Sequence, residues 1–261
     1  MTTVNRIDET FAGLRSGSRK GFIPYICAGD PDLATTIQLA RTLVDVGADV
    51  LELGLPFSDP LADGIVNQLA AQRALASGTT IDGVLNCVRQ VRQNCDTPIV
   101  VYTYLNPILQ FGFDRFHEQA AAAGVDGLLI LDLPPEEEIE GRNHGLAHIR
   151  LIAPTTSAER MKRIAENARG FLYYVSREGV TGARDNVAAS LDQQIAEIRR
   201  VSSLPIAVGF GISNPEQAKA VAQHADAVVI GSAIVDLIAH EGRRSLNSVG
   251  DFARSIVRAL A

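Results

Sequence analysis

The chain has 261 residues, 46% hydrophobic and 21% charged, a globular composition that excludes disorder and fibre. Its 30 acids and 24 bases give a net charge of −6 with no basic block, which disfavours nucleic acid and anionic membrane as partners. A length near 250 is usual for one (β/α)8 barrel, so residues 1–261 read as a single domain.

Cys27, Cys87 and Cys95 form no CxxC pair, and an odd count argues against a disulfide framework. A reducing cytoplasm is the expected location. The N-terminal segment is polar and lacks an apolar signal core. No run of about 18 apolar residues is present, so no membrane span is expected.

Residues 3–16 read as a helix before the first strand. Short apolar runs then alternate with amphipathic stretches. The runs are Gly21–Cys27, Val50–Leu53, Pro98–Tyr102, Gly127–Leu131, His148–Ile152, Phe171–Val175, Pro205–Val208 and Ala227–Ile230. Most are apolar nearly throughout, as strands buried on both faces should be. The helical stretches begin with Leu33–Val46 behind the N-cap residue Asp32. Ile65–Ala76 and Thr80–Gln93 form a pair after the second strand. Asp114–Ala123, Pro135–Gly145, Ala158–Asn167, Ala188–Arg200 and Asn214–Gln223 follow the next strands. Ser213 to Glu216 reads as a capping box with an early proline. Ser245–Leu260 is the last helix. Glu136 to Glu138 open a helix, where negative charge suits the dipole. Eight strands alternating with helices predict a parallel (β/α)8 barrel, with an N-terminal helix and extra helices after strands two and eight.

Barrel chemistry sits at the C-terminal ends of strands. None of the three lysines, Lys20, Lys162 and Lys219, is there, so Schiff-base chemistry has no amine. The five histidines fall on helices or at the wrong ends of strands, and no metal-ligand spacing appears. The cysteines lack a neighbouring histidine. Carboxylates and glycines remain. Strand parity puts Val50, Glu52 and Gly54 on one face. A lone carboxylate inside a buried strand is costly to ionise. It is either a structural acid with a basic partner or a general acid/base with a raised pKa. No base is near in sequence. Asp59 and Asp63 follow in the loop, and Asp63 stands where a cap for the Ile65 helix would be.

Three glycine-containing turns follow strands six, seven and eight: Gly179 to Gly182, Gly209 to Gly211, and Gly231 with Ser232. Such turns let backbone approach a ligand, and helix N-termini favour an anion, so phosphate is expected there. Ser176 to Ala189 reads as a long loop, often a lid, with Arg177 and Arg184 either solvated or closing on substrate.

These residues resemble the tryptophan synthase alpha subunit family. The motifs are LELGLPFSDPLADG (Leu51 to Gly64), SREGVTGAR (Ser176 to Arg184), GFGIS (Gly209 to Ser213) and IGSAIV (Ile230 to Val235). GFIPYICAGDP, NPILQFG, DLPPEE and LIAPTTS support them, in family order over essentially the whole chain. The resemblance implies retro-aldol cleavage of indole-3-glycerol phosphate to indole and glyceraldehyde 3-phosphate, without metal or cofactor. It implies that Glu52 is the general acid/base and that Asp63 bonds the indole N–H. It places the phosphate at Gly182, Gly211, Gly231 and Ser232. The substrate pocket would take Tyr25, Tyr102, Tyr173, Phe210 and Asn67. Thr181 on the lid, with Arg177, would close on the site and bond Asp63. It further implies an α2β2 complex whose beta subunit carries pyridoxal phosphate and meets Asp59, Pro60 and Asn106.

The sequence departs from the family pattern at three positions. Ile65 replaces a helix-starting proline, Asn67 replaces an aliphatic residue that touches indole, and Cys27 stands where threonine is common. A polar amide at 67 lowers affinity or alters substrate preference unless it is hydrogen-bonded. The departures leave two alternatives: a lyase that works alone, and a weakly catalytic activator of a beta chain. A barrel isomerase of the same pathway shares the fold, but not the long motif around Glu52.

Overall fold

The computed structural model describes residues 5–134, 137, 143–175, 184–209 and 211–261, with backbone alone for 184–190. In chain order, α1 (Arg6–Ser16), β1 (Gly21–Cys27), α2 (Leu33–Asp45) and β2 (Leu51–Gly54) come first. α3 (Ile65–Ala76), α4 (Ile81–Arg92), β3 (Ile99–Thr103), α5 (Leu105–Phe111), α6 (Phe113–Ala123), β4 (Gly127–Ile130) and β5 (Ala147–Ile152) follow. α7 (Ala158–Glu166), β6 (Leu172–Val175), α8 (Arg184–Val201), β7 (Ile206–Gly209) and α9 (Pro215–Ala222) lead to β8 (Ala227–Ile230). α10 (Ser232–Glu241) and α11 (Leu246–Leu260) end the chain, with a 3₁₀ turn, Gly242–Arg244, between them.

The eight strands close in sequence order, each parallel to its neighbours, as the alternation of elements predicts. Every strand lies within one residue of its expected bounds. One buried layer fills the barrel, with Ile23, Val50, Val100, Leu129, Ile149 and Phe171 among its members. A larger layer lies between strands and helices, which is why the strands read as continuous apolar runs. α1 plugs the N-terminal end through Ile7, Phe11 and Leu14. The Phe11 and Phe171 rings stand 5.5 Å apart. The Asn5 side chain caps α1 and donates to Asp126 O at 2.8 Å, tying the plug to the turn before β4. The buried carboxylate of Asp126 receives Arg92 at 2.7 Å, Arg6 at 2.8 Å and Ile99 N at 2.8 Å, so its charge is paired.

Several local expectations change. α5 is a helix where only a sequence motif was read. Pro107 looks like a breaker, but it sits in the first turn, where its missing N–H is no loss. α8 begins at Arg184, so the loop after β6 is shorter than 176–189. The cap of α9 is Asn214, whose side chain accepts from Gln217 N at 2.9 Å. Gln217 Oε1 in turn accepts from Ser213 N at 2.8 Å, so the box sits one residue later than read. The expected helix over 135–145 lies largely outside the described residues; Glu137 and Asn143 to Gly145 are bend and turn.

Candidate active site

Strand periodicity builds the site. Alternate residues face the barrel interior, so the next inward position along each strand forms the cavity floor. Ile23 leads to Tyr25, Val50 to Glu52, Val100 to Tyr102 and Phe171 to Tyr173, and all four of these polar residues line one cavity at the C-terminal mouth. Its volume is about 690 Å³, the size of a small-molecule site. Asp63, Asn67, Gly211, Gly231 and Ser232 complete the wall from the loops and helix starts.

Two glycines make this floor possible. A Cβ at Gly54 would lie 2.3 Å from the Tyr25 phenol oxygen, and one at Gly209 would lie 2.5 Å from that of Tyr173. Both glycines end strands, and both leave room for a phenol from the neighbouring strand. Gly209, read as part of a phosphate turn, therefore has a packing reason.

Glu52 is 2% exposed, and its Oε1 has no hydrogen-bond partner. The structural reading of this acid required a basic partner, and none meets it among the described residues. Burial, reinforced by the charge of Asp63, pushes the Glu52 carboxyl up to about 8. A neutral carboxyl inside the cavity is a proton donor at neutral pH.

Asp63 is not a helix cap. The N-cap of α3 is Gly64, with no side-chain cap bond. The Asp63 carboxylate instead receives two phenols, Tyr102 at 2.7 Å and Tyr104 at 2.8 Å. Its backbone oxygen accepts from Gln68 Nε2 at 2.8 Å. Tyr104 was not read from the sequence, because 41 residues separate it from Asp63 and only the barrel brings them together.

After β7 and β8, Gly211 has φ +68 and Gly231 precedes α10. Ile234 N and Val235 N both donate to Gly231 O, so the N–H groups of Ser232 and Ala233 have no helix carbonyl to meet. A helix start of this kind suits an anion. Asn67 reaches the cavity wall with its Oδ1 buried and unpartnered. Cys27 is buried below, and its thiol is pushed up by that burial. Asp59 and Asn106 are exposed and Pro60 partly so, with Leu61 (83% exposed), Ile65 (65%) and Leu109 (55%) beside them in sequence. These exposed apolar side chains were not singled out as a surface in the sequence. Arg177, Thr181, Gly182 and Phe210 lie outside the described residues.

The family profile described as tryptophan synthase alpha chain matches residues 11–258. The chain is 53% identical over 238 residues to the tryptophan synthase alpha chain of Geobacter sulfurreducens, covering 90% of each. It is 45% identical over 262 residues to that of Pelobacter propionicus, covering 98% of each. Among solved structures, the tryptophan synthase subunit alpha of Legionella pneumophila superposes with a TM-score of 0.90 at 45% identity, covering 99% of each chain. A chain described as belonging to the tryptophan synthase α2β2 complex of Pyrococcus furiosus superposes with a TM-score of 0.85 at 36% identity, over 92% of this chain and 99% of that one.

The raised Glu52 pKa makes stability depend on pH. Between the ordinary value of 4.5 and about 8, the unfolded chain has released a proton that the folded chain keeps. Native stability therefore falls as pH rises through that window, by at most ~1.4 kcal/mol per unit, and levels off above it. Urea midpoints of wild type and Glu52→Gln from pH 5 to 9 should diverge, with the variant gaining on wild type as pH rises. Parallel curves would place the carboxyl near its ordinary value.

Proposed function

The chain belongs to the tryptophan synthase alpha chain family, and from that membership we propose how its residues divide the work. It is an enzyme of tryptophan biosynthesis, and it catalyses the alpha reaction, retro-aldol cleavage of indole-3-glycerol phosphate. Its partner is the tryptophan synthase beta subunit.

Glu52 is the general acid and then the base. The neutral carboxyl gives its proton to indole C3, which makes the ring a leaving group. The resulting carboxylate takes the proton of the hydroxyl on the attached glycerol carbon. The C–C bond breaks, indole leaves, and the aldehyde of glyceraldehyde 3-phosphate forms, with Glu52 protonated again. A proton donor that is neutral at working pH suits the first step, and a carboxylate released at a buried position suits the second. Asp63 accepts the ring N–H and stabilises the positive charge that C3 protonation puts on the indole. The observation that carries this reading is the buried, unpaired Glu52 carboxyl facing the same cavity as Asp63.

Gly211, Gly231 and Ser232 hold the phosphate, supported by the free N–H groups at the start of α10. Gly182 would join them. Tyr25, Tyr102 and Tyr173 line the indole and glycerol part of the cavity, and Phe210 would join them. Thr181 and Arg177 would close over the site. The chemistry is proton transfer around one C–C bond and asks for no cofactor on this chain; the pyridoxal phosphate would sit on the beta chain. Asp59, Pro60 and Asn106 face that chain, supported by the exposed apolar residues next to them. A cytoplasmic location fits three free, buried cysteines. Among the described residues no helix is long and apolar enough to cross a membrane.

Indole release from indole-3-glycerol phosphate, measured alone and with the beta subunit, tests the reading. Slow release that rises strongly with beta is expected, and Glu52→Gln should abolish it while remaining folded. Fast release unaffected by beta would mark a free-standing lyase. An active, folded Gln variant would remove Glu52 from the mechanism.

Asn67 sets a second expectation. An unpartnered amide in the wall is a poor neighbour for an aromatic ring. Asn67→Ile should tighten binding of indole-3-propanol phosphate by about 5- to 10-fold. Unchanged affinity would mean that residue 67 does not meet the ring.

A further inference from the structure

Asp63 is held more firmly than a loop carboxylate needs to be. A carboxylate offers about four lone-pair sites, two on each oxygen. One site on each oxygen is already filled. Tyr102 Oη donates to Oδ1 at 2.7 Å, and Tyr104 Oη donates to Oδ2 at 2.8 Å. Tyr102 lies in β3, and Tyr104 is the extended N-cap residue of α5 just past the strand's end, so the two are alternate residues of one extended stretch.

The two tyrosines are anchored differently. The Tyr102 ring stands in the cavity wall, edge-on to Tyr25 with centroids 5.1 Å apart. Tyr104 stands outside the cavity lining, where its Oη also accepts from Ala62 N at 3.0 Å and its ring meets Phe57 at 5.4 Å. Burial first, then the nearby Asp63 carboxylate, pushes both phenols above their ordinary range, so both remain donors at working pH. Two donors, one in β3 and one at the N-cap of α5 just past its end, leave the carboxylate little rotational freedom. Its remaining lone pairs then point in set directions before any ligand arrives.

We propose that Tyr102 and Tyr104 are positioning residues, which lock the Asp63 carboxylate so that its free lone pairs meet the substrate ring N–H. The proposal rests on the role assigned to Asp63 above. Neither phenol touches the bond that breaks, and neither transfers a proton. Their effect passes through Asp63. A carboxylate that could turn would reach the N–H in only part of its conformations, and preorganised geometry of this kind acts on turnover more than on binding.

A double-mutant cycle on the chain in complex with its beta subunit separates this from a structural role. Tyr102→Phe and Tyr104→Phe are each made in wild type and in Asp63→Asn, with indole-3-glycerol phosphate as substrate. Each phenylalanine should lower kcat about 10-fold and leave KM within about 3-fold. In the Asp63→Asn background the same substitutions should have almost no further effect, because the group they orient is gone. Tyr104→Phe also frees Ala62 N and should lower the thermal midpoint. Tyr102→Phe breaks only the bond to Asp63, so it is the cleaner variant if Tyr104→Phe folds poorly. Losses of equal size in both backgrounds, or an unchanged kcat in Tyr102→Phe, would overturn the proposal. An Asp63→Asn enzyme with wild-type turnover would remove the role of Asp63 and the proposal with it. No cleavage by the wild-type complex would instead strike the reading of the whole site.

Discussion

The burial of one carboxyl governs this site. Glu52 lies inside the barrel with an oxygen that has no partner, in a position where a charge would be expensive. A fold normally removes such a group or gives it a cation. Here it is kept neutral, at a cost to stability in alkaline conditions that the hydrophobic layers on both sides of the strands can absorb. The proton it holds is the one proposed to start the reaction.

The rest of the site follows from the same strand geometry. The period of two that packs Ile23, Val50, Val100 and Phe171 in the barrel carries Tyr25, Glu52, Tyr102 and Tyr173 to the mouth. Glycines at the ends of β2 and β7 open the space that the phenols of Tyr25 and Tyr173 occupy. The two acids then lie in contrasting surroundings. Glu52 Oε1 meets no donor among the described residues, whereas Asp63 receives two phenols. Environment, not residue type, separates a mobile proton from a fixed acceptor.

Much of this was legible in the sequence, and the limits were physical. Continuous apolar runs located the strands, because both faces of a parallel barrel strand are buried. Parity placed Glu52 on one face of its strand with Val50 and Gly54, and the absence of a nearby base in sequence made it suspect. α5 was missed because seven residues with an early proline carry little periodicity. Asp63 was open to a capping reading because a cap is a local property, whereas its true partners lie 39 and 41 residues away. The box at α9 was shifted because Ser213 and Asn214 are both competent caps, and only the backbone decides between them. The exposed Leu61, Ile65 and Leu109 were invisible as a surface until the fold showed which apolar residues had been left outside.

The loop that bears Asp63 also bears Asp59 and Pro60, so the surface proposed to face the beta subunit lies a few residues from the carboxylate proposed to meet the indole ring. Phe57 packs on Tyr104, and Tyr104 bonds Asp63, so a push on that loop has a short physical route to the carboxylate. The proposed reaction begins with a proton on Glu52. The most direct test is the infrared carboxyl stretch of Glu52, taken as the difference between wild type and Glu52→Gln and followed across pH. The account predicts a protonated carboxyl band that persists through neutrality and disappears with a midpoint of about 8. A band already lost below about pH 6 would contradict it, because Glu52 would then enter the reaction as a charged carboxylate with no proton to give.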